Sequence, residues 1–450
     1  MTVQTPVGGP RSYPVVGNLL ELAQDPTSFF LTARREHGDL FRYRFGPRTV
    51  YLAAHPDAVK HVLLDNNTNY RKHSAYDKVK PLVGEGLLTS EGDTWLANRR
   101  LAQPVFHKQR IQGFGTMMVT ETVRMLDERW EPYARSGKPF DLLPEMMRLT
   151  LTVVGRALFS RDLSGEAATV GKALSFALEH SNKRSLSVVS APAHWPLPAN
   201  LRFKRSLQAL DDLVYGMIKE RRAGGEDLDD LLSMLLHASD ADTGEAMNDR
   251  QLRDEAMTLF LAGHETTANA LSWLFYLLSQ HTAVTRKLVD EVDTVLSGRT
   301  ATLDDAANLP YGRMVIDEAL RLYPPAWIIG RHTLAPDHLG GVDIPADTDV
   351  SISPFVTHRH PDYWNNPEGF DPERFSVERS KGRHRFAYFP FGGGPRLCIG
   401  NSFALLEMQL TLATILQRFE PQLVSGHPVV LDPGITLRPK NGVLMTLKRR

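Results

Sequence analysis

One cysteine stands in a chain of 450 residues, within the stretch FPFGGGPRLCIG at residues 389–400. Three consecutive glycines, at residues 392–394, precede Cys398, and an apolar pattern with helical spacing follows it. The glycines let the backbone approach a flat group closely, and a helix that starts at the cysteine would favour the thiolate, with Arg396 adding positive charge nearby. Such a thiolate is a nucleophile or a metal ligand, whereas a random lone cysteine is more often a buried structural thiol.

The surroundings of Cys398 argue against two common thiolate sites. A zinc site needs further ligands, and the chain has no second cysteine to provide one. A cysteine protease needs a partner histidine, and no sequence feature marks one. An iron site that needs one protein ligand remains, and heme is such a site because its porphyrin supplies the four equatorial bonds.

A second group of polar residues, AGHETT at residues 262–267, interrupts a long apolar segment. The polar residues argue against a bilayer span and favour a buried helix. Asn248 and Gln251 resemble a capping box, so this helix is predicted to begin at Asn248 and to run to residue 281. The motif is not the zinc motif HExxH, because Ala268 stands where the second histidine would be. Without Cys398, a polar patch in a core helix would be the default interpretation.

A third motif, EALR, contains an acid and a base on one helix face. Glu318 and Arg321 are three residues apart, and such pairs are most often surface ion pairs worth about 0.2–0.5 kcal/mol. A further arginine, Arg374, follows in the sequence PERF.

The elements that must position these residues are mostly helical. Apolar residues recur at three- and four-residue spacing over residues 121–135, over residues 144–159 and around LVYGMIKERR. Strand-like runs are fewer: DLFRYRF and RTVYLAA lie near the start, and DVSISPFVTH and GVLMTLKR near the end. We therefore predict a mainly α protein with small β-sheets built from both ends of the chain, which favours one folded unit.

Composition narrows the class of protein. A hydrophobic content of 42% supports a sizeable core, and 52 basic against 52 acidic residues give no indication of a nucleic-acid partner. One cysteine allows no intrachain disulfide and suits a reducing compartment. The first residues lack the continuous apolar segment of a signal peptide or membrane anchor. We expect a cytoplasmic protein with no membrane anchor.

The spacing around the cysteine resembles the heme-binding signature of the cytochrome P450 family. The pattern FxxGxRxCxG, which begins at Phe391 and contains Cys398, is highly specific, and the agreement extends over nearly the whole chain. The resemblance implies a single cytochrome P450 domain over residues 1–450, with a long central helix over the heme and the cysteine loop beneath it. It also implies heme b as the cofactor and Cys398 as the ligand of its iron.

The resemblance assigns roles to the other motifs. Ala262 and Gly263 would let the helix pass close over the porphyrin, with a local bulge at Gly263, and Glu265 and Thr266 would carry protons to dioxygen. A buried network beneath the heme would hold the cysteine loop and would consist of Glu318, Arg321 and Arg374. The contacts to the heme would be Trp95, Arg99, Arg331, Phe391 and Arg396, with His107 and His332 ranked below them.

The substrate implied by the resemblance is hydrophobic. The residues that fall where the family lines its pocket are all apolar: Leu88, Phe260, Leu261, Ala262, Ala326, Trp327 and Ile328. Taken alone, each of these apolar residues is more often part of the hydrophobic core than of a substrate pocket. The expected activity is the insertion of one atom of dioxygen into a fatty acid, a terpenoid or carotenoid, or a polyketide-like compound. Tyr51 matches a carboxylate anchor of fatty-acid hydroxylases, but Arg48 is offset by one residue.

The resemblance also implies an external supply of electrons. The electrons would pass from NAD(P)H through a separate ferredoxin or flavodoxin-type donor to the heme. The expected oligomeric state of this protein is a monomer. The basic loop RSKGRHR at residues 379–385 would dock that donor, and a solvated loop is the alternative. Two rival functions are a peroxide-driven heme peroxygenase and a non-enzymatic heme sensor. The first usually lacks an acid–threonine pair and the second has no need of one, so Glu265 and Thr266 count against both.

Overall fold

Contacts divide the chain into two compact units. The computed structural model describes residues 7–161, 167–186, 192, 195–224, 228, 230–239 and 244–450. The first unit comprises Met1–Tyr76, Glu318–Cys398 and Pro433–Leu437, and the second comprises Asp77–Asp317, Ile399–Asp432 and Arg438–Arg450. The expectation of one domain over residues 1–450 stays a prediction.

Most of the described residues are helical. The α-helices among them are α1 (Leu19–Gln24), α2 (Pro26–His37), α3 (Pro56–Lys60), α4 (Lys80–Val83), α5 (Gly92–Ala102), α6 (Lys108–Gly113), α7 (Gly115–Met125), α8 (Glu131–Ser136), α9 (Leu142–Phe159), α10 (Ala167–Leu186), α11 (Pro198–Gly224), α12 (Leu231–His237), α13 (Asp249–Gln280), α14 (Thr282–Leu296), α15 (Pro310–Leu322), α16 (Pro354–Thr357), α17 (Val377–Ser380) and α18 (Asn401–Leu416). Among the described residues, no helix combines the length and apolarity needed to cross a membrane.

The predicted helices are present, with one interruption. The helix predicted over residues 144–159 is α9, and LVYGMIKERR lies in α11. The segment predicted over residues 121–135 is helical throughout, but a π-helical turn at Leu126–Trp130 separates α7 from α8. Pro132 follows at the start of α8, where its ring lacks an N–H to donate, and this accounts for the change in hydrogen bonding.

The strands are short and few. They are β1 (Leu40–Phe45), β2 (Arg48–Ala53), β3 (Tyr70–Lys72), β4 (Phe140–Asp141), β5 (Ile329–Thr333), β6 (Asp337–Leu339), β7 (Val342–Ile344), β8 (Asp349–Ile352), β9 (Phe419–Leu423), β10 (Leu431–Pro433), β11 (Leu437–Pro439) and β12 (Leu444–Arg449). The first unit contains a sheet in the order β1-β2-β8-β5-β3, and the second contains one in the order β4-β12-β9. Both of these sheets join early strands to late ones, as predicted, whereas the two-stranded sheets β6-β7 and β10-β11 contain late strands alone.

One strand prediction is partly wrong. The run DVSISPFVTH forms a strand only as far as Ile352, which pairs with Ala53 of β2. Pro354 then opens α16, because it has no N–H for the ladder and its fixed φ suits the first turn of a helix. The Ser353 side chain caps this helix by accepting from the Val356 amide over 3.3 Å. The turn brings His358 into the interior, where it is fully buried.

The long helix α13 begins where the sequence predicts. Asn248 Oδ1 accepts from the Gln251 amide over 3.0 Å, and Gln251 Oε1 accepts from the Asn248 amide over 2.9 Å, so the capping box is confirmed. The helix continues without interruption through Gly263, so the predicted bulge at that residue is wrong. A Cβ at Gly263 would lie 3.1 Å from Val154 of α9, and this glycine therefore serves close helix packing.

Candidate functional site

Main-chain hydrogen bonds close the cysteine loop, which we define as residues 389–398. The Cys398 amide donates to the Phe391 carbonyl over 3.0 Å, and the Gly392 amide donates to the Phe389 carbonyl over 2.9 Å. The Cys398 side chain is exposed at the end of the loop. The single thiol of the sequence is therefore presented by a constrained turn rather than buried as packing.

The helix that follows the cysteine begins later than predicted. Gly400 is its N-cap and Asn401 its first residue, so the prediction that a helix starts at Cys398 is wrong. The Cys398 amide is committed to the loop, and the first helical hydrogen bond runs from the Ala404 amide to the Gly400 carbonyl over 2.9 Å.

Gly394 makes the tight course of the loop possible. Its φ of +64° lies in the left-handed region, where other residues are strained. A Cβ there would lie 1.8 Å from the carbonyl oxygen of Leu63, which no packing adjustment tolerates. The loop therefore rests directly on the backbone around Leu63, and glycine is the residue that permits this contact.

Glu318, Arg321 and Arg374 form a buried ionic cluster in the first unit. Arg321 Nε and Nη2 donate to the two carboxylate oxygens of Glu318 over 2.7 and 2.8 Å. Arg374 Nε donates to the same carboxylate over 3.1 Å. The three residues are 0%, 0% and 4% exposed, respectively. The EALR pair is therefore a buried ion pair, not the surface pair that such spacing usually makes.

The other donors of the two arginines bind main-chain carbonyls. Arg321 donates to His358 over 2.9 Å, to Pro367 over 2.6 Å and to Gly369 over 2.9 Å. Arg374 Nη2 donates to Asn366 over 2.8 Å. The sequence did not predict these carbonyl acceptors; three of them lie in the run NNPEG at residues 365–369, and the His358 carbonyl had no signal. They make the cluster a support for the chain that leads to PERF.

Away from its two ends, α13 has accessible residues at its centre. Ala262 is exposed and Gly263 and Thr266 are partly exposed, whereas His264 and Glu265 are buried. Residues 262 and 266 are four apart and residues 263 and 266 three apart, so the accessible positions share one helix face. Thr266 Oγ1 donates to the Ala262 carbonyl over 2.5 Å. A hydroxyl and two small residues thus form the accessible stripe.

His264 faces the interior between α13 and α9. The Thr150 hydroxyl donates to the main-chain carbonyl of His264 over 2.9 Å. Burial lowers the pKa of His264 to about 4, against the opposite effect of a hydrogen bond to the Met147 main chain. The imidazole is therefore neutral at pH 7, and it lies away from the accessible stripe.

The predicted heme contacts lie in three segments. Trp95 and Arg99 are one turn apart on the same face of α5, and Arg99 is partly buried whereas Arg100 is exposed. Arg331 lies in β5 and is 8% exposed, and Arg396 lies in the cysteine loop. The first unit therefore contains Arg331, Phe391 and Arg396, and the second contains Trp95 and Arg99.

The two histidines ranked lower have other surroundings. His332 Nδ1 is 2.7 Å from Asp349 and its Nε2 is 2.8 Å from Asp347, so both nitrogens already have carboxylate partners. His107 is exposed just before α6. Neither arrangement favours a heme contact.

The seven predicted pocket residues fall into two groups. Phe260, Leu261 and Trp327 are buried. The Trp327 ring nitrogen donates to the Gly434 carbonyl over 2.8 Å, so its side chain is held in the packing of the first unit. The accessible or partly accessible members are Leu88, Ala262, Ala326 and Ile328.

The basic loop at residues 379–385 is less solvated than its composition indicates. The Arg383 guanidinium lies 4.2 Å from the centre of the Trp364 ring and donates to the Arg374 carbonyl over 2.6 Å. Burial lowers the pKa of Arg383. Lys381 and Arg385 are exposed. A docking surface would therefore rely on exposed cations such as Lys381 and Arg385. The contacts of Arg383 instead stabilise the loop itself.

These residues fit a heme. A thiolate is a soft ligand for iron, and the close approach of Gly394 to the chain beneath it fixes the turn that carries Cys398. Arginines such as Arg331 and Arg396 suit carboxylates, which heme bears as propionates, because their donors form a planar fork.

Comparisons with known proteins agree along the whole chain. The profile of the family "Cytochrome P450" matches residues 7–445. Cyclooctatin synthase of Streptomyces melanosporofaciens is 39% identical over 430 residues, which are 95% of this chain and 92% of that protein. Pentalenene oxygenase of Streptomyces avermitilis is 33% identical over 441 residues, 98% of this chain and 95% of that protein. The heme domain of cytochrome P450DA superposes with a TM-score of 0.91 at 30% identity, covering 99% and 98% of the two chains.

The predicted family, fold class, cofactor and enzyme class are confirmed by these relatives. A third relative, cyclooctat-9-en-7-ol 5-monooxygenase of Streptomyces melanosporofaciens, is 38% identical over 93% of this chain and 90% of its own length. Enzymes of this family act on hydrophobic substrates with dioxygen and electrons from redox partners. The chain belongs to the cytochrome P450 family and is a heme-dependent monooxygenase.

Proposed function

We propose that Cys398 is the thiolate ligand of the heme iron. The observation that carries this proposal is the exposure of the one thiol of the sequence at the end of a loop closed by its own main-chain hydrogen bonds. Heme bound through a thiolate supplies activated oxygen for insertion into C–H bonds. We further propose that Arg331 and Arg396, with Trp95 and Arg99, bind the propionates and that Phe391 contacts the macrocycle.

The proton path of the proposed enzyme starts at α13. Thr266 places a hydroxyl on the accessible stripe, and the small neighbours Ala262 and Gly263 leave room beside it. Glu265 is 7% exposed and would exchange protons through the Thr266 hydroxyl and water. The Thr266 hydroxyl donates to the Ala262 carbonyl. The hydroxyl oxygen can still accept a hydrogen bond from another donor, such as a water molecule.

Replacing Thr266 with alanine tests this path. Thr266→Ala removes the hydroxyl, and we expect product formed per NADPH consumed to fall by about tenfold or more, with the electrons recovered as hydrogen peroxide. Thr266→Ser keeps the hydroxyl and should stay close to the wild type. Turnover driven by added peroxide should largely persist in Thr266→Ala. Unchanged coupling in that variant would refute the assignment.

We propose a terpenoid as the substrate. The names of three relatives refer to cyclooctatin, to a cyclooctat-9-en-7-ol and to pentalenene. The accessible predicted pocket residues are apolar, and they are Leu88, Ala262, Ala326 and Ile328. A fatty acid is disfavoured because Arg48 and Tyr51 are three apart on β2, which places them on opposite faces of the strand. The Arg48 guanidinium also donates to Ser74 over 3.1 Å.

A binding screen distinguishes the substrate classes. The purified holoenzyme is titrated with cyclic terpene alcohols and hydrocarbons and with fatty acids of similar size, while the Soret band is followed. We expect terpenoids to shift the band and fatty acids to do so at least about tenfold more weakly, because a buried carboxylate without a partner is costly. Ala326→Phe, which fills accessible space, should weaken the terpenoid shift. Tighter binding of fatty acids would overturn the proposed class.

The proposal includes a separate electron donor. We infer a ferredoxin or flavodoxin-type protein, guided to the chain by the exposed cations Lys381 and Arg385. Reduction by NADPH alone, without an added donor, would contradict this part. We also propose that the protein acts in the cytoplasm, because a single cysteine suits a reducing compartment. The proposed oligomeric state is a monomer.

A further inference from the structure

His358 links the buried ionic cluster to the cysteine loop. Its side chain is fully buried. On one side, Nδ1 is 3.2 Å from the Arg321 carbonyl oxygen, and Arg321 Nη1 donates back to the His358 carbonyl over 2.9 Å. On the other side, the main-chain amide of Phe389 donates to Nε2 over 2.9 Å. One imidazole therefore joins the helix of Glu318 and Arg321 to the first residue of the cysteine loop.

The two contacts define the protonation state of this ring. A main-chain amide only donates, so Nε2 must carry a lone pair, and a carbonyl only accepts, so Nδ1 must carry the proton. A second proton would face the Phe389 amide and would add a positive charge beside Arg321 and Arg359. Burial and these guanidinium groups hold the pKa of His358 well below its ordinary value. The ring is thus a neutral link with one donor and one acceptor.

Hydrogen bonds continue from this link to the cysteine. The Phe389 ring meets the His358 ring edge-on at 5.2 Å, which fixes the start of the loop sideways as well. The Phe389 carbonyl accepts from the Gly392 amide, and the Phe391 carbonyl accepts from the Cys398 amide. Releasing the Phe389 amide would therefore loosen the loop at its origin while leaving the ion pairs of the cluster in place.

We propose that His358 is a positioning residue for the heme ligand. Its Nε2 holds the Phe389 amide, and the loop fixed in this way presents the sulfur of Cys398 to the iron. The inference rests on the proposed role of Cys398 as the iron ligand. The competing interpretation is that His358 only stabilises the cluster around Arg321 through Nδ1. The two interpretations assign the function to different ring nitrogens.

Two amide variants separate the two nitrogens. In His358→Gln, the side-chain carbonyl can reach the position of Nε2 and accept from the Phe389 amide. In His358→Asn, the side-chain amide can reach the position of Nδ1 and donate to the Arg321 carbonyl, but it is too short to reach Phe389. His358→Leu removes both functions at similar bulk. Thermal unfolding of each variant measures the purely structural cost.

The principal readout is the Soret band of the reduced holoenzyme with carbon monoxide. The strongly red-shifted band measures the fraction of heme with a thiolate ligand. We expect the ratio of thiolate-bound to other heme to fall by about tenfold or more in His358→Asn relative to His358→Gln, since an unpaired buried amide is costly on that scale. His358→Leu should resemble His358→Asn. Equal ratios in the two amide variants, or a lower ratio in His358→Gln, would overturn the proposal.

A nearby buried histidine provides the matched control. His360 is also fully buried, but its Nε2 lies 3.0 Å from Asp39 and 3.0 Å from Arg34, away from the cysteine loop. His360→Gln and His360→Asn should therefore show no difference in the red-shifted band. A difference as large as that between the His358 variants would mean that general destabilisation, not the link to Phe389, controls the ligand.

Amide hydrogen exchange keeps the proposal testable if the variants fold poorly. In the wild-type holoenzyme, the Phe389 amide should be among the strongly protected amides of residues 389–398, because its acceptor is a buried ring. Rapid exchange at Phe389 would overturn the proposal without any substitution. A wild-type enzyme that lacks the red-shifted band would instead refute the role of Cys398, so the two failures are distinguishable.

Discussion

Arg321→Ala is expected to lower the free energy of unfolding by about 3–5 kcal/mol, a large part of the roughly 5–15 kcal/mol that stabilises a typical domain. The guanidinium is fully buried and holds both oxygens of Glu318. Its loss would leave that carboxylate with Arg374 as its only charged partner among the described contacts. It would also leave the buried carbonyl group of His358 and the partly buried carbonyl group of Pro367 without the Arg321 donor.

The measurement is denaturant unfolding of the purified protein, with heme content determined on the same samples. We expect the variant to unfold at lower denaturant concentration and to retain less heme, because the same carbonyl groups order the chain that leads to the cysteine loop. Arg313→Ala is the control on the same helix. Arg313 pairs with Asp317 over 2.9 Å at a half-exposed site, where such pairs contribute about 0.2–1 kcal/mol. Equal losses in the two variants would contradict the cluster's supporting role.

Local sequence signals predicted the parts of the site that depend on neighbouring residues. The capping box of Asn248 and Gln251 located the start of α13, and the glycines before Cys398 indicated a tight turn. Alternating residues located β1 and β2 to within a residue. These features could be predicted because hydrogen bonds between residues three or four apart, or steric limits at one residue, decide them.

Contacts between distant segments could not be predicted in the same way. Arg383 belonged to a run of cations, but a contact with Trp364 makes it part of the packing. Phe260 and Trp327 matched pocket positions, yet both are buried, because side-chain burial depends on neighbours that the sequence does not name. His358 had no motif at all, and its importance arises only from the Phe389 amide that the fold brings to it.

Cys398→His should abolish the thiolate signature of this enzyme. The variant keeps a side chain that can bind iron but replaces the sulfur with an imidazole nitrogen, which donates less electron density to the iron. We expect it to bind heme and to lose essentially all monooxygenase turnover. Cys398→Ser, which is closer in size to the native residue, should behave similarly, because a neutral hydroxyl is a weak ligand for heme iron.

The most direct test of the account is the absorption spectrum of the reduced wild-type protein exposed to carbon monoxide. Ligation by Cys398 predicts a strongly red-shifted Soret band that disappears in Cys398→His and in Cys398→Ser. A wild-type band at the position typical of histidine ligation, or a red-shifted band that survives either substitution, would contradict the assignment of Cys398 as the ligand.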